Sequence, residues 1–178
     1  MLYDGIKLAA IISLPLSIGL TALFWDVIDR RHLMVWFAFA AAVLPVFNLW
    51  LLTYYRRHQT LPKDAHRWLK LQQFRFLFGN LIYGSGGIVL FVPGSVTHQL
   101  ILFSFLFASS ATLMAKAAQY RPLYLITSPL LLLPFIARAA IDPNNTTKLL
   151  ALLGIGGLIY TVLTTKKLGI LMYESLQH

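Results

Sequence analysis

The sequence predicts an all-α protein, a polytopic membrane bundle of six transmembrane helices with both termini on the cytoplasmic side. Three observations predict it. Of the 178 residues, 58% are hydrophobic and only 12% charged, with a mean hydropathy of +0.70; soluble chains carry roughly 25% charged residues. Apolar runs recur over about 6–25, 33–55, 74–92, 98–117, 123–141 and 148–167, each near the roughly 20 residues that cross a bilayer as a helix. Lys and Arg are also divided unevenly between the two sides that those runs define.

The same numbers exclude several classes. With short connections between the spans, 1–178 reads as a single six-helix transmembrane domain with no room for a soluble catalytic or DNA-binding module. A net charge of +9 is therefore assigned to the membrane surface, with the lipid bilayer as partner and no nucleic acid. The absence of cysteine rules out disulfides, thiolate metal sites and cysteine nucleophiles.

The first span begins after Lys7, which can snorkel to the interface, and Pro15 interrupts its hydrogen bonding, with Ser13 and Ser17 available to cover the freed carbonyl. No small-residue cleavage site follows it, and Trp25, Asp26 and Asp29 come at once, so it is expected to remain as a helix. The second span carries Pro45 and Asn48 and ends in Trp50, Tyr54 and Tyr55, the aromatic collar of a headgroup boundary. A basic linker follows, from Arg56 and Arg57 past Pro62, in which KDAHRWLKLQQFRF reads as a helix lying along or entering the membrane surface.

The third span is glycine-rich, with Gly79, Gly84, Gly86 and Gly87 around Asn80, Tyr83 and Ser85, and stops at Pro93-Gly94. Small residues let backbones approach closely, so Gly79, Gly84 and Gly87 are assigned to helix packing. In the fourth span Ser104, Ala108, Ala111, Ala115 and Ala118 fall on one face, and Ala108, Ala111 and Ala115 are assigned the same role. The fifth span carries Pro129 and Pro134, then Arg138 and Asp142 at a spacing that predicts an ion pair across one helical turn. DPNNTT reads as a turn, and the sixth span holds Gly154, Gly156 and Gly157 before Lys166 and Lys167. Beyond it Leu168, Leu171, Met172, Ser175 and Leu176 continue an apolar stripe along one side of a helix.

Candidate chemistry is sparse. The five histidines are nowhere three or four residues apart, so no metal site is expected. Ser85 in YGSGG resembles the serine of six-span rhomboid proteases superficially, but Tyr83 stands where that motif needs glycine, and His98 belongs to a short outer connection. No catalytic residue and no cofactor is expected, and the chain is read as a non-enzyme. The interior polar residues are Asn48, Asn80, Tyr83, Ser85, Ser109, Ser110 and Thr127. They serve either as interhelical hydrogen bonds or, for Asn48, Asn80 and Tyr83, as the polar contacts of a pocket for a small hydrophobic or amphipathic ligand.

Trp68, Phe74, Gly79, Tyr83-Gly84, Gly87 and Pro93, followed by Tyr120, Pro122, Tyr124, Pro129, Pro134 and Arg138, carry a resemblance. Their spacing resembles the six-span N-terminal input regions of bacterial membrane signalling proteins, chiefly GGDEF/EAL cyclic-di-GMP enzymes and hybrid sensor histidine kinases, with Tyr83 where that pattern usually has Trp. The resemblance covers roughly Trp36 to His178, and KKLGILMYESLQH looks like the exit helix that continues into a signalling coiled coil. It implies a sensory input module of a two-component or cyclic-di-GMP system in a bacterial inner membrane, acting as a homodimer and cut before a cytoplasmic cyclase or kinase. The alternative is a small-molecule carrier such as the vitamin-binding subunit of an energy-coupling-factor transporter, for which Ala38/Ala42 and Ala111/Ala115 offer the docking spacing in the second and fourth spans rather than the first.

With the N-terminus inside, Lys7, Arg56, Arg57, Lys63, Arg67, Lys70, Arg75, Lys116, Arg121, Lys166 and Lys167 are cytoplasmic, against only Arg30, Arg31, Arg138 and Lys148 outside. Reporter fusions at Met1 and at His178 should therefore both give the cytoplasmic signal; opposite compartments would refute the charge assignment.

Overall fold

A computed structural model describes the backbone of residues 14–57, 65–117 and 121–175 and the side chains of 14–54, 70–111 and 125–164. The protein is all-α, with six helices and no strand among the described residues. They are α1 (Leu14–Phe24), α2 (Arg30–Phe37, a π-helical turn Ala38–Val43, then Leu44–Arg57), α3 (Ala65–Val89), α4 (Val96–Ala117), α5 (Arg121–Ile141) and α6 (Asn145–Ser175). Among the residues whose side chains are described, two stretches are long and apolar enough to cross a membrane, Arg30–Tyr54 and Asn145–Thr164, and the described parts of three further apolar helices are Leu14–Phe24, Val96–Ala111 and Leu125–Ile141. The chain divides into two compact units, Met1–Ile82 and Tyr83–His178, with the division inside α3.

In the first unit, Asp29 starts α2 by accepting from the backbone N–H groups of Arg31 at 2.8 Å and His32 at 3.4 Å, satisfying donors that a helix start leaves bare. Pro45 explains the π-turn further along. It has no N–H for the Ala41 carbonyl, and its ring crowds that oxygen. The helix widens just before it, and the Leu44 N–H reaches back five residues to Phe39 O. Trp36, almost fully buried, ties α2 to α3 by donating its indole N–H to Ile82 O at 3.1 Å. Leu33, Ala40, Leu44 and Leu51 are buried along the same helix. The helix expected along or into the membrane surface is continuous with the glycine-rich segment, because α3 runs unbroken from Ala65 to Val89. The carbonyl that Pro15 leaves without its donor, and Pro62 and Lys63 of the basic linker, lie outside the described residues.

In the second unit the glycines of α3 decide the packing. A Cβ on Gly84 would fall on the Leu130 carbonyl oxygen and lie 3.1 Å from Leu131 Cα; one on Gly87 would lie 2.6 Å from Phe135 N. Backbone thus meets backbone, where no rotamer change can relieve a clash. Pro134 gives this approach a chemical logic, since it cannot supply the N–H that would close the helical turn on Leu130 O. The Gly84 hydrogen that occupies the Cβ direction points at that oxygen, a Cα–H···O contact. Gly79 is different: a Cβ there would sit 3.6 Å from Leu44 Cδ2, ordinary contact, so a methyl fits. Ala108 and Ala111 stand exposed on α4, and the side chain of Ala115 lies outside the described residues.

Phe91, Phe103 and Phe135 cluster at centroid distances of 5.8 and 5.6 Å, and Gly154 of α6 fits beneath Ile136 and Phe103. The α5–α6 turn is closed by its own side chains. Asp142 accepts from Asn144 N at 2.9 Å, and Asn144 caps α6 by accepting from Thr146 N at 2.9 Å. The Arg138–Asp142 ion pair expected from their spacing does not form, because Asp142 stands past the end of α5 with its carboxylate committed to the turn.

Gly84→Ala should lower the thermal midpoint in detergent strongly, by the equivalent of about 1–3 kcal/mol of overpacking. Gly156→Ala, with nothing within 4 Å of its Cβ position, should be neutral or stabilising by up to about 1 kcal/mol through helix propensity. Equal effects at the two positions would show that Gly84 is not a backbone contact.

Candidate functional site

Polar side chains collect in two places, one in each unit, and they differ in whether their hydrogen bonds close. The second-unit cluster is built on Gln99, which is fully buried in the first turns of α4. Its amide nitrogen donates to Val92 O at 2.9 Å and reaches Asp142 Oδ2 at 3.5 Å, while its Oε1 accepts from the hydroxyl of buried Thr147 at 2.6 Å. One amide therefore ties together the α3–α4 connection, the end of α5 and the start of α6. Every polar atom of the amide has a partner inside the protein, which makes this a structural tie. Further along, the hydroxyls of Ser110 on α4 and Ser128 on α5, both fully buried, share a hydrogen bond of 2.9 Å.

Ser95 and His98 approach to 2.6 Å between Oγ and Nδ1. Ser95 immediately precedes α4 and His98 lies in its first turn, the geometry of a helix-start cap. Arg138 is partly buried, with its Nε hydrogen-bonded to nothing and its guanidinium 5.5 Å from the Phe91 ring. Among the described residues no group of His, Asp and Glu is arranged to hold a metal ion.

The first-unit cluster is open. Asn48 on α2 and Gln72 on α3 are each 6% exposed. Between them Arg75 donates from Nε to Gln72 Oε1 at 2.9 Å and from Nη1 to Asn48 Oδ1 at 3.3 Å, with its guanidinium 4.5 Å from the Phe76 ring. The Arg75 bond fixes which way the Gln72 amide points, because a flipped amide would set nitrogen against nitrogen. Gln72 Nε2 is then buried with no hydrogen-bond partner. An aromatic ladder runs alongside: Phe47 contacts Trp50, Phe74 and Phe78 at 5.8–6.0 Å, and Trp50 stacks on Tyr54 at 5.7 Å. Trp50 and Phe74 are more than half exposed.

Of the residues that the sequence nominates for ligand contact, Asn48 belongs to this open cluster. Asn80, also buried, donates to Phe76 O of its own helix at 2.7 Å. Tyr83, in the second unit, meets Phe105 edge-on at 5.7 Å. By sequence Gln72 and Arg75 fall in the basic surface segment and Asp142 and Thr147 in the DPNNTT stretch, while Gln99 has no role assigned. A signal for the first pair was available: Gln72 and Arg75 stand three apart, on one face of a helix. Comparison with protein-family models, with characterised proteins and with solved structures finds no match to this chain.

Thr147→Val, which keeps the shape but leaves Gln99 Oε1 without its donor, should cost about 1–3 kcal/mol of stability. The exposed neighbour change Thr146→Val should stay within about 0.5 kcal/mol. Thermal unfolding of the two variants side by side measures the difference, and equal midpoints would mean that the Gln99 tie carries no stability.

Proposed function

We propose that this chain is a sensory input module of a bacterial signalling protein, a six-span bundle in the inner membrane that passes its signal through the last helix to a cytoplasmic cyclase or kinase. The observation that carries this is α6. It is one unbroken helix from Asn145 to Ser175, although its apolar run gives way to Lys166 and Lys167 before that end. A helix that leaves the bilayer without a break transmits a rotation or a shift as a rigid rod. Supporting it are the two long apolar stretches and three further apolar helices, the uneven division of basic residues and the resemblance in aromatic, glycine and proline spacing. On this proposal the chain has no reaction of its own. It works as a homodimer, and Leu168, Leu171, Met172, Ser175 and Leu176 start a coiled coil between two copies; their side chains lie outside the described residues.

The chain has no cysteine, so single cysteines at those five positions can be crosslinked in native membranes without a background. Crosslinking between chains with a helical period is the expected result. Uniform absence of crosslinks, together with a monomeric mass in mild detergent, would overturn the output role.

A further inference from the structure

Gln72 Nε2 is the one orphan donor of the first-unit cluster among the described residues, and it sits beside a cation that no described acid balances. Among the described residues Arg75 forms no ion pair: its guanidinium is held by the Gln72 and Asn48 carbonyl oxygens and by the Phe76 ring, all uncharged. Holding a guanidinium partly out of water against neutral acceptors leaves its charge uncompensated. A buried amide N–H with no acceptor adds a further cost. Both costs vanish if one oxygen-bearing anion accepts from them together. Asn48 Nδ2 and the remaining guanidinium N–H groups supply further donors of the same kind.

We infer that Asn48, Gln72 and Arg75 form a binding site for the anionic oxygens of a phosphate group. Arg is suited to that role, because its planar fork presents paired N–H groups to two oxygens at once. The position of the cluster favours a lipid phosphate as the source. Asn48 lies between Phe47 and Trp50 in sequence, and Arg75 follows Phe74. All three of these aromatics belong to the ladder that ends in Trp50 and Tyr54. Exposed Trp beside Tyr marks headgroup depth in a membrane helix. The lipid source rests on the membrane part of the proposed function, whereas the anion chemistry does not, so a soluble phosphate is the other source that the same donors accept.

The test uses the full chain in mild detergent, with native mass spectrometry after adding phosphatidylglycerol or phosphate-free diacylglycerol and thermal unfolding with and without inorganic phosphate. The informative variant is Gln72→Glu, which places a carboxylate against Arg75. It should raise the thermal midpoint in the absence of anion and cut the retained phosphatidylglycerol by at least about tenfold, the factor carried by one lost charge-assisted hydrogen bond. Arg75→Gln should lose the lipid likewise, and if it fails to fold, Gln72→Glu decides alone. Lys148→Gln, which lowers net charge by the same amount at an exposed site, should leave retention unchanged. Preferential retention of phosphatidylglycerol supports the lipid source. Stabilisation by inorganic phosphate, without lipid preference and abolished in Gln72→Glu, supports the same site with a soluble anion. Wild-type binding by Gln72→Glu, or no preference for either anion over diacylglycerol and chloride, overturns the site.

Discussion

The contact on which the second unit depends is the one between Gly84 and the Leu130 carbonyl. Proline at position 134 removes the donor for that oxygen, and a carbonyl left bare inside a packed or lipid environment is costly. Only a residue without a Cβ can bring its backbone close enough to cover it. Once Gly84 and Gly87 lie on α5, the rings of Phe91, Phe103 and Phe135 have a fixed floor to pack on, and Gly154 brings α6 in beneath Ile136. The polar tie through Gln99 then locks the ends of these helices together, because one amide serves three segments at once.

The two polar clusters show how similar residues acquire different uses. Gln99 and Gln72 are both buried glutamines on helices, yet the first has all its partners within the chain and the second has a bare nitrogen. The difference lies in what surrounds them. Gln99 faces a turn, where Thr147 and the Val92 carbonyl present complementary groups. Gln72 faces the side of α2, where Asn48 and Arg75 engage each other and the amide acceptor is taken by Arg75 Nε. A closed cluster adds specificity to the fold; an open one retains capacity to bind.

Much of the helical layout was legible. Asp29 and Asn144 announce helix starts by their chemistry, Pro93-Gly94 announces a stop, and the glycines of the third apolar run announce close packing before any partner is known. The partner was not legible, since nothing local to GNLIYGSGG says that the opposing surface is Leu130 to Phe135. Spacing alone misled at Arg138 and Asp142, where the periodicity of a helix was extended past the residue at which the helix ends.

What the sequence by itself determined is the all-α class, the order of the helices and the positions at which their hydrogen bonding must be interrupted, because each of these follows from side chains acting on their own backbone. The choice of Gly84 and Gly87 over Gly79 as obligatory contacts, and the separation of a satisfied Gln99 from an unsatisfied Gln72, were decided only by tertiary structure. Each of those depends on which atoms of a distant segment arrive opposite, and periodicity along one helix carries no information about the surface that will meet it.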